Sequence, residues 1–267
     1  MSAHTDAVAH VVEHLDLAQT RAVAIRPDEQ WPELDLADAY AAQAALLDRR
    51  RGRGERGVGL KLGFTSEAKM RQMGVDELIV GRLTHTMEIP AGGSCSLDGL
   101  IHPRVEPEVA FRFEDGLDLA DPALDDPDAL VAAVSHVAAA LEIIDSRYDG
   151  FRFDLPRVVA DNTSAARFAV GPWHEPGAID LSDLPVRLVV GGETAATGST
   201  SAILGHPLNT LPRLRDLGRR LGLEVPPGAV LLAGAATEAV PLVPGTVAVE
   251  IGGLEPVAVE IEGGHHG

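Results

Sequence analysis

The chain is short of cysteine, lysine and basic charge, and each shortage excludes something. Cys95 is the only cysteine, so no disulfide within the chain and no thiolate zinc cluster is expected. Basic residues number 22 against 40 acidic ones, a formal net charge of −18. Nucleic acid and anionic membrane surfaces both call for a basic footprint, so neither is an expected partner. No apolar run approaches the roughly 20 residues of a membrane span. The N-terminal stretch MSAHTDAVAHVVEHLDLA carries acidic residues and lacks the basic start and long apolar core of a signal peptide. A cytoplasmic protein is expected.

What is present suits a folded domain. The 267 residues are 45% hydrophobic, enough for a large core and against disorder. Apolar residues at helical spacing predict a helix over 3–24, and an Ala-rich one follows over 35–50. The glycines of RRRGRGERG then break the pattern. Ser66 is placed to cap a short helix that ends at Gly74. Strands are expected over 78–83, 86–89, 104–113 and 139–145, with a helix over 126–138 between the last two. Strands over 184–190 and 193–199 flank Gly191–Gly192 as a hairpin. A helix over 208–221, kinked or restarted at Pro212, precedes late strands at 230–232, 247–251 and 257–261. Helices come first and a strand-rich body follows, so the fold class is α+β. The division is an N-terminal helical segment, 1–56, and a catalytic body, 57–267, within one continuous domain.

Four features carry chemistry. Twenty of the 22 basic residues are arginine, yet Lys61 sits inside the apolar, Gly-rich GVGLKLGFTS. Lysine can shift its pKa when desolvated and arginine cannot. Lys61 therefore reads either as a proton-handling residue or as a strand-edge lysine with its head in water. In RVEPEVAFRF, alternation puts Glu106 and Glu108 on one face, about 7 Å apart. Pro107 between them blocks a ladder bond and marks an edge or a bulge. Glu142 lies in the apolar run VAAALEIID, where an ionised carboxylate needs a metal or a partner such as Arg147 or Arg104. Three hard oxygen donors suit Mg²⁺ or Mn²⁺ rather than zinc. Finally, DNTS closes an apolar strand, and its Asn162 and Ser164 either order a turn or donate to a ligand carboxylate. His10–Val11–Val12–Glu13–His14 fits a zinc-protease pattern but reads better as a surface helix. His206 reads as a local hydrogen-bonder at the start of a helix.

Taken together, the segments GLKLGFTSEAKMRQMGV, IHPRVEPEVAF, ALEIIDSRY, VVADNTS, LGHPLN and PPGAVLLAGAATEAVPLVPG resemble the 2-oxopent-4-enoate hydratase/4-oxalocrotonate decarboxylase family. That family lies within the fumarylacetoacetate-hydrolase-like fold, and the resemblance spans nearly the whole chain. It implies a mixed β-sheet body, a divalent metal on Glu106, Glu108 and Glu142, an active-site lysine at Lys61, and Ser164 near the substrate. Asn162 and Arg147 are further candidates for the substrate, as is Arg152 for its distal carboxylate. No organic cofactor is implied.

Two features favour the decarboxylase branch. DSRYDGFRFDLPRVVADN resembles the decarboxylases' segment after the metal-binding Glu. Ile79 stands where the hydratases carry an Asp suited to donate a proton, with Asp76 and Glu77 as nearby substitutes, and Val80 replaces the usual aromatic. The implied reaction is decarboxylation of an unsaturated 2-oxo diacid such as 2-oxo-3-hexenedioate (4-oxalocrotonate) to 2-hydroxypenta-2,4-dienoate and CO₂. The alternatives are hydration of that dienol, C–C cleavage of an acylpyruvate, and a metal-binding partner subunit without activity. The resemblance also implies a homo-oligomer and a complex with a paralogous hydratase.

Overall fold

The computed structural model describes residues 3–26, 31–66, 70 and 77–264. Two helices open the chain, α1 (Ala3–Arg21) and α2 (Leu36–Gly52). Asp35 caps α2 by accepting from the Asp38 N–H at 2.8 Å, and Arg49–Arg51 fill its last turn, where cations suit the helix dipole. The small residues Ala39 and Ala42 are fully buried, so α2 lies close on its neighbours. Buried Gln43 donates from Nε2 to the carbonyls of Val80 and Val159, 2.9 Å each, which ties the helix to the body.

The body holds two sheets. The first runs in the order β2 (Ile79–Thr84), β1 (Gly57–Gly63), β9 (Ala229–Ala235), β4 (Arg104–Phe113), β5 (His136–Ile144), β6 (Ala165–Val170), with β10 (Val240–Pro241) also on β4. Only β1 and β9 are parallel in it. The second runs β3 (Ser94–Ser96), β12 (Val257–Glu262), β11 (Gly245–Ile251), β7 (Pro185–Val190), β8 (Glu193–Ser199). β7 and β8 form the expected hairpin, with Gly191 and Gly192 at φ 59° and 85°, as a tight primed turn requires.

Three expectations need correction. The helix expected over 126–138 is only α3 (Pro127–Ala132), and β5 already begins at His136. Residues 137–143 are buried on both faces, so the strand reads as a continuous apolar run without alternation. The strand expected over 86–89 is a 3₁₀ turn, His85–Met87. After the short α4 (Leu155–Ala160), the last helix is α5 (Thr210–Leu221). Its start places Pro212 in the first turn, where a missing N–H costs nothing. His206 accepts from the Leu208 N–H at 3.1 Å just before it. The expected helix after Ser66 lies mostly outside the described residues.

Candidate active site

Register assembles the carboxylates. Glu106 pairs directly across from Glu142 where β4 runs antiparallel to β5. Cross-strand partners share a face, and so do i and i+2, which brings Glu108 to the same side. One oxygen from each of the three lies within 4.8 Å of the others. Pro107 sits on an interior strand, not an edge, beside a bulge against β9 between Glu108 and Ala110. At that bulge Gly234, φ 116°, turns its N–H onto Glu108 Oε2 at 2.7 Å. A Cβ there would lie 1.9 Å from Thr65 Oγ1, so glycine is required.

Lys61 arrives from β1, with β9 and β4 between it and β5. Across a flat sheet those strands would be roughly 14 Å apart at ~4.8 Å per step. Lys61 Nζ lies 2.9 Å from Glu142 Oε2, so the two long side chains reach toward each other over β9 and β4. The same ammonium donates to the Thr163 carbonyl at 3.1 Å. Lys61, Glu108 and Glu142 are buried to 3%, 0% and 0% exposure. Burial alone would lower the Lys61 pKa, but Glu142, Glu108 and Glu106 together outweigh it and hold the ammonium charged. Glu108 is pushed well above the usual carboxylate range by burial and then by Glu142.

The donor set fits a divalent cation. Apart from Lys61, no donor among the described residues reaches either oxygen of Glu142 or Oε1 of Glu108. Buried carboxylate oxygens without donors are costly, and a hard cation is the partner they suit. The open face leads into a cavity of about 230 Å³. Its polar wall includes Lys61, Arg104, Glu106, Thr163 and Ser164, and its apolar wall includes Ile79, Ile144, Phe151 and Phe153.

The remaining candidates divide. Ser164 lines the cavity, and its buried hydroxyl has no partner among the described residues. Asn162 does not line it: its Oδ1 accepts from Arg82 N–H at 2.8 Å and its Nδ2 donates to Arg82 O at 2.9 Å. Arg147 is turned away, held by the Asp161 carboxylate and carbonyl and by the Asp145 carbonyl. Arg152 pairs with Asp149 on the surface. Glu77 forms two hydrogen bonds with Arg220, 3.1 and 2.8 Å, outside the cavity; Asp76 lies outside the described residues.

Sequence reasoning missed Thr163 and weighed Arg104 only as an ion-pair partner of Glu142, a place that Lys61 takes. Thr163 has a buried hydroxyl without a partner among the described residues, and it belongs to a run of three left-handed residues, Asn162, Thr163 and Ser164, at φ 50°, 55° and 57°. Such backbone costs roughly 1–3 kcal/mol per residue and gathers at functional sites. The Arg104 guanidinium stands 4.8 Å over the Phe151 ring at the cavity wall. Its place two residues before Glu106 on the same strand was the available signal. The His10/His14 pair stacks near Trp31 instead, with ring centroids 5.8 and 5.4 Å away.

The mixed-sheet body behind two N-terminal helices has the fumarylacetoacetate-hydrolase-like fold. A fumarylpyruvate hydrolase from Pseudomonas aeruginosa, solved with Mn²⁺ and pyruvate, shares that fold at a TM-score of 0.58 and 15% identity, over 77% of this chain and 89% of that one. A solved 4-oxalocrotonate decarboxylase from Pseudomonas putida G7, complexed with magnesium and adipate, superposes at a TM-score of 0.90 and 35% identity, over 98% of this chain and 99% of that one. No protein-family model matches the chain. Among curated proteins, a 4-oxalocrotonate decarboxylase from a Pseudomonas species is 41% identical over 89% of this chain and 91% of its own. A 2-keto-4-pentenoate hydratase from Burkholderia vietnamiensis strain G4 is 35% identical over 94% and 96%. The chain belongs to the family of 4-oxalocrotonate decarboxylases and 2-keto-4-pentenoate hydratases.

Proposed function

We propose that this protein decarboxylates an unsaturated 2-oxo diacid of the 2-oxo-3-hexenedioate (4-oxalocrotonate) type, giving 2-hydroxypenta-2,4-dienoate and CO₂. The observation that carries this over hydration is the cavity wall. Ile79 occupies it, and Glu106 is the only carboxylic acid among its described residues. Adding water to the dienol calls for an acid that protonates carbon, whereas losing CO₂ needs a proton only at the enolate oxygen. Relatives named decarboxylase at 38–41% identity support the same branch.

Glu106, Glu108 and Glu142 would hold Mg²⁺ or Mn²⁺. When bound, the ion supplies a Lewis acid for the 1-carboxylate and 2-oxo oxygens. The bond from C5 to the distal carboxylate breaks, and its electron pair moves through the conjugated chain to the 2-oxo oxygen. The Lys61 ammonium stabilises that oxygen as charge develops and then passes it a proton, which completes the dienol. The Thr163 and Ser164 hydroxyls are free to orient the carboxylate end. Arg104, backed by Phe151, takes the distal carboxylate. The Arg104 Cα lies about 7 Å along β4 from that of Glu106, at ~3.4 Å per residue, a spacing that suits a six-carbon diacid lying over the face. The apolar wall excludes water. The protein works as a cytoplasmic homo-oligomer, in company with a paralogous hydratase that consumes the dienol.

A paired assay with Mg²⁺ tests this reading. One reaction holds 2-oxo-3-hexenedioate and follows CO₂; the other holds 2-hydroxypenta-2,4-dienoate and follows its ultraviolet absorbance. CO₂ release with slow loss of the dienol is expected. Fast loss of the dienol without CO₂ release would make the protein a hydratase.

A further inference from the structure

We propose that Asn162 is a positioning residue for Lys61, acting through the Thr163 carbonyl rather than by touching substrate. The proposal rests on Lys61 taking part in the reaction. A lysine ammonium has three N–H donors in tetrahedral array. One points at Glu142 Oε2, 2.9 Å away, and a second at the Thr163 carbonyl, 3.1 Å away. With two directions fixed, the third is fixed too, and the cavity that Lys61 lines with Thr163 and Ser164 is the space left to it. The aim of that third donor is therefore set by where the Thr163 carbonyl stands.

That carbonyl lies in the left-handed run at 162–164, a conformation the surroundings must impose. Asn162 imposes it from one side. β2 is the edge strand of its sheet, and Asn162 occupies the open edge like one residue of a further strand. Its amide takes both the N–H and the carbonyl of Arg82, at 2.8 and 2.9 Å. Asparagine is suited to the task because it tolerates the left-handed region and carries a donor beside an acceptor. The fit is close. A Cβ on Gly81 would lie 2.7 Å from the Asn162 carbonyl oxygen and 2.9 Å from Lys61 Cδ. One on Gly63 would lie 2.7 Å from Thr163 Cγ2. Both glycines keep the turn and the lysine stem pressed against β1 and β2. Residues 163 and 164 are held from the other side by Ser164 N–H donating to Asp161 O at 3.0 Å and Asp145 N–H donating to Ser164 O at 2.8 Å.

The test uses Asn162→Ala, with Gly81→Ala as a second variant that presses on the Asn162 carbonyl oxygen and the Lys61 stem while leaving the Asn162 side chain in place. Three quantities are read: kcat, KM, and the affinity for adipate as a diacid that does not react. The chain has two lysines, so ¹⁵Nζ labelling of lysine yields two ammonium signals and isolates that of Lys61. The expected result is a fall in kcat of about 10–100-fold, the range for residues that orient a functional group. KM and adipate affinity stay within twofold, and the Lys61 signal moves or broadens. Weaker adipate binding with kcat intact would make Asn162 a substrate contact and overturn the proposal. So would an unmoved Lys61 signal with normal kcat in either folded variant. If the wild type adds water instead of releasing CO₂, the decarboxylase reading fails, while the variant-to-wild-type kcat ratio and the lysine signal still decide the role of Asn162.

Discussion

Asp161 and Glu142 are both carboxylates sealed from solvent, at 1% and 0% exposure, yet their surroundings treat them in opposite ways. Asp161 receives the Arg147 guanidinium and backbone N–H, with Ser146 Oγ at 3.4 Å. Arg147 spends its other donors on the carbonyls of Asp145, Ala165 and Asp161. That cluster is complete. Glu142 has Lys61 and no other donor among the described residues, and the carboxyl groups of Glu106 and Glu108 crowd it. That cluster has acceptors to spare, which a cation would fill. Burial of charge alone thus separates nothing in this molecule; the count of satisfied acceptors separates a structural pair from a binding site.

The comparison can be broken most directly on its incomplete side. Glu142→Gln should lower metal-dependent turnover roughly a thousandfold or more, since several kcal/mol of charge stabilisation go with the ligand. The metal-free protein should lose stability as well, because the buried Lys61 ammonium is left without its carboxylate partner. Steady-state kinetics and calorimetry on one preparation check both. Arg147→Met separates stability from metal binding. It strands Asp161 in the core and should cost about 3–5 kcal/mol of stability, read by urea denaturation, while Mg²⁺ affinity stays near that of wild type.

A smaller effect sharpens the contrast through specificity. Arg104→Met should raise KM for the diacid about 10–100-fold, the loss of one charge-assisted contact of ~1.5–3 kcal/mol. Binding of a 2-oxo monoacid should not change. Equal losses for both ligands would remove Arg104 from the distal end.

The smallest effect is one of pH. Burial pushes Asp161 up to about 6, against the pull of Arg147. Its unfolded value is about 3.9, so between those values the folded state holds a proton that the unfolded state releases. The stability it contributes is full below about pH 4 and declines as pH rises to about 6. Denaturant midpoints across that window should fall less steeply in Asp161→Asn than in wild type.

Much of the incomplete cluster was legible in the sequence. A period of two puts Glu106 and Glu108 on one face, an apolar run makes Glu142 conspicuous, and the scarcity of lysine draws attention to Lys61. The family resemblance joined them before the register did. The complete cluster was not legible. Nothing local links Arg147 to Asp161 or Asn162 to Arg82, because tertiary hydrogen bonds join residues at no fixed spacing. Arg147 and Asn162 were accordingly read toward substrate, whereas the fold turns both to protein groups. The strand that carries Glu142 was also half hidden. With both faces of residues 137–143 covered, apolar periodicity could not distinguish its start from the end of α3.

The most direct test of the metal site is a calorimetric titration of Mn²⁺ into the wild type and Glu108→Gln, both first stripped of metal. The expected result is one site per chain in the wild type and at least a hundredfold weaker binding in the variant, about 2.7 kcal/mol. Equal stoichiometry and affinity in the two proteins would contradict the assignment of these three carboxylates to a metal.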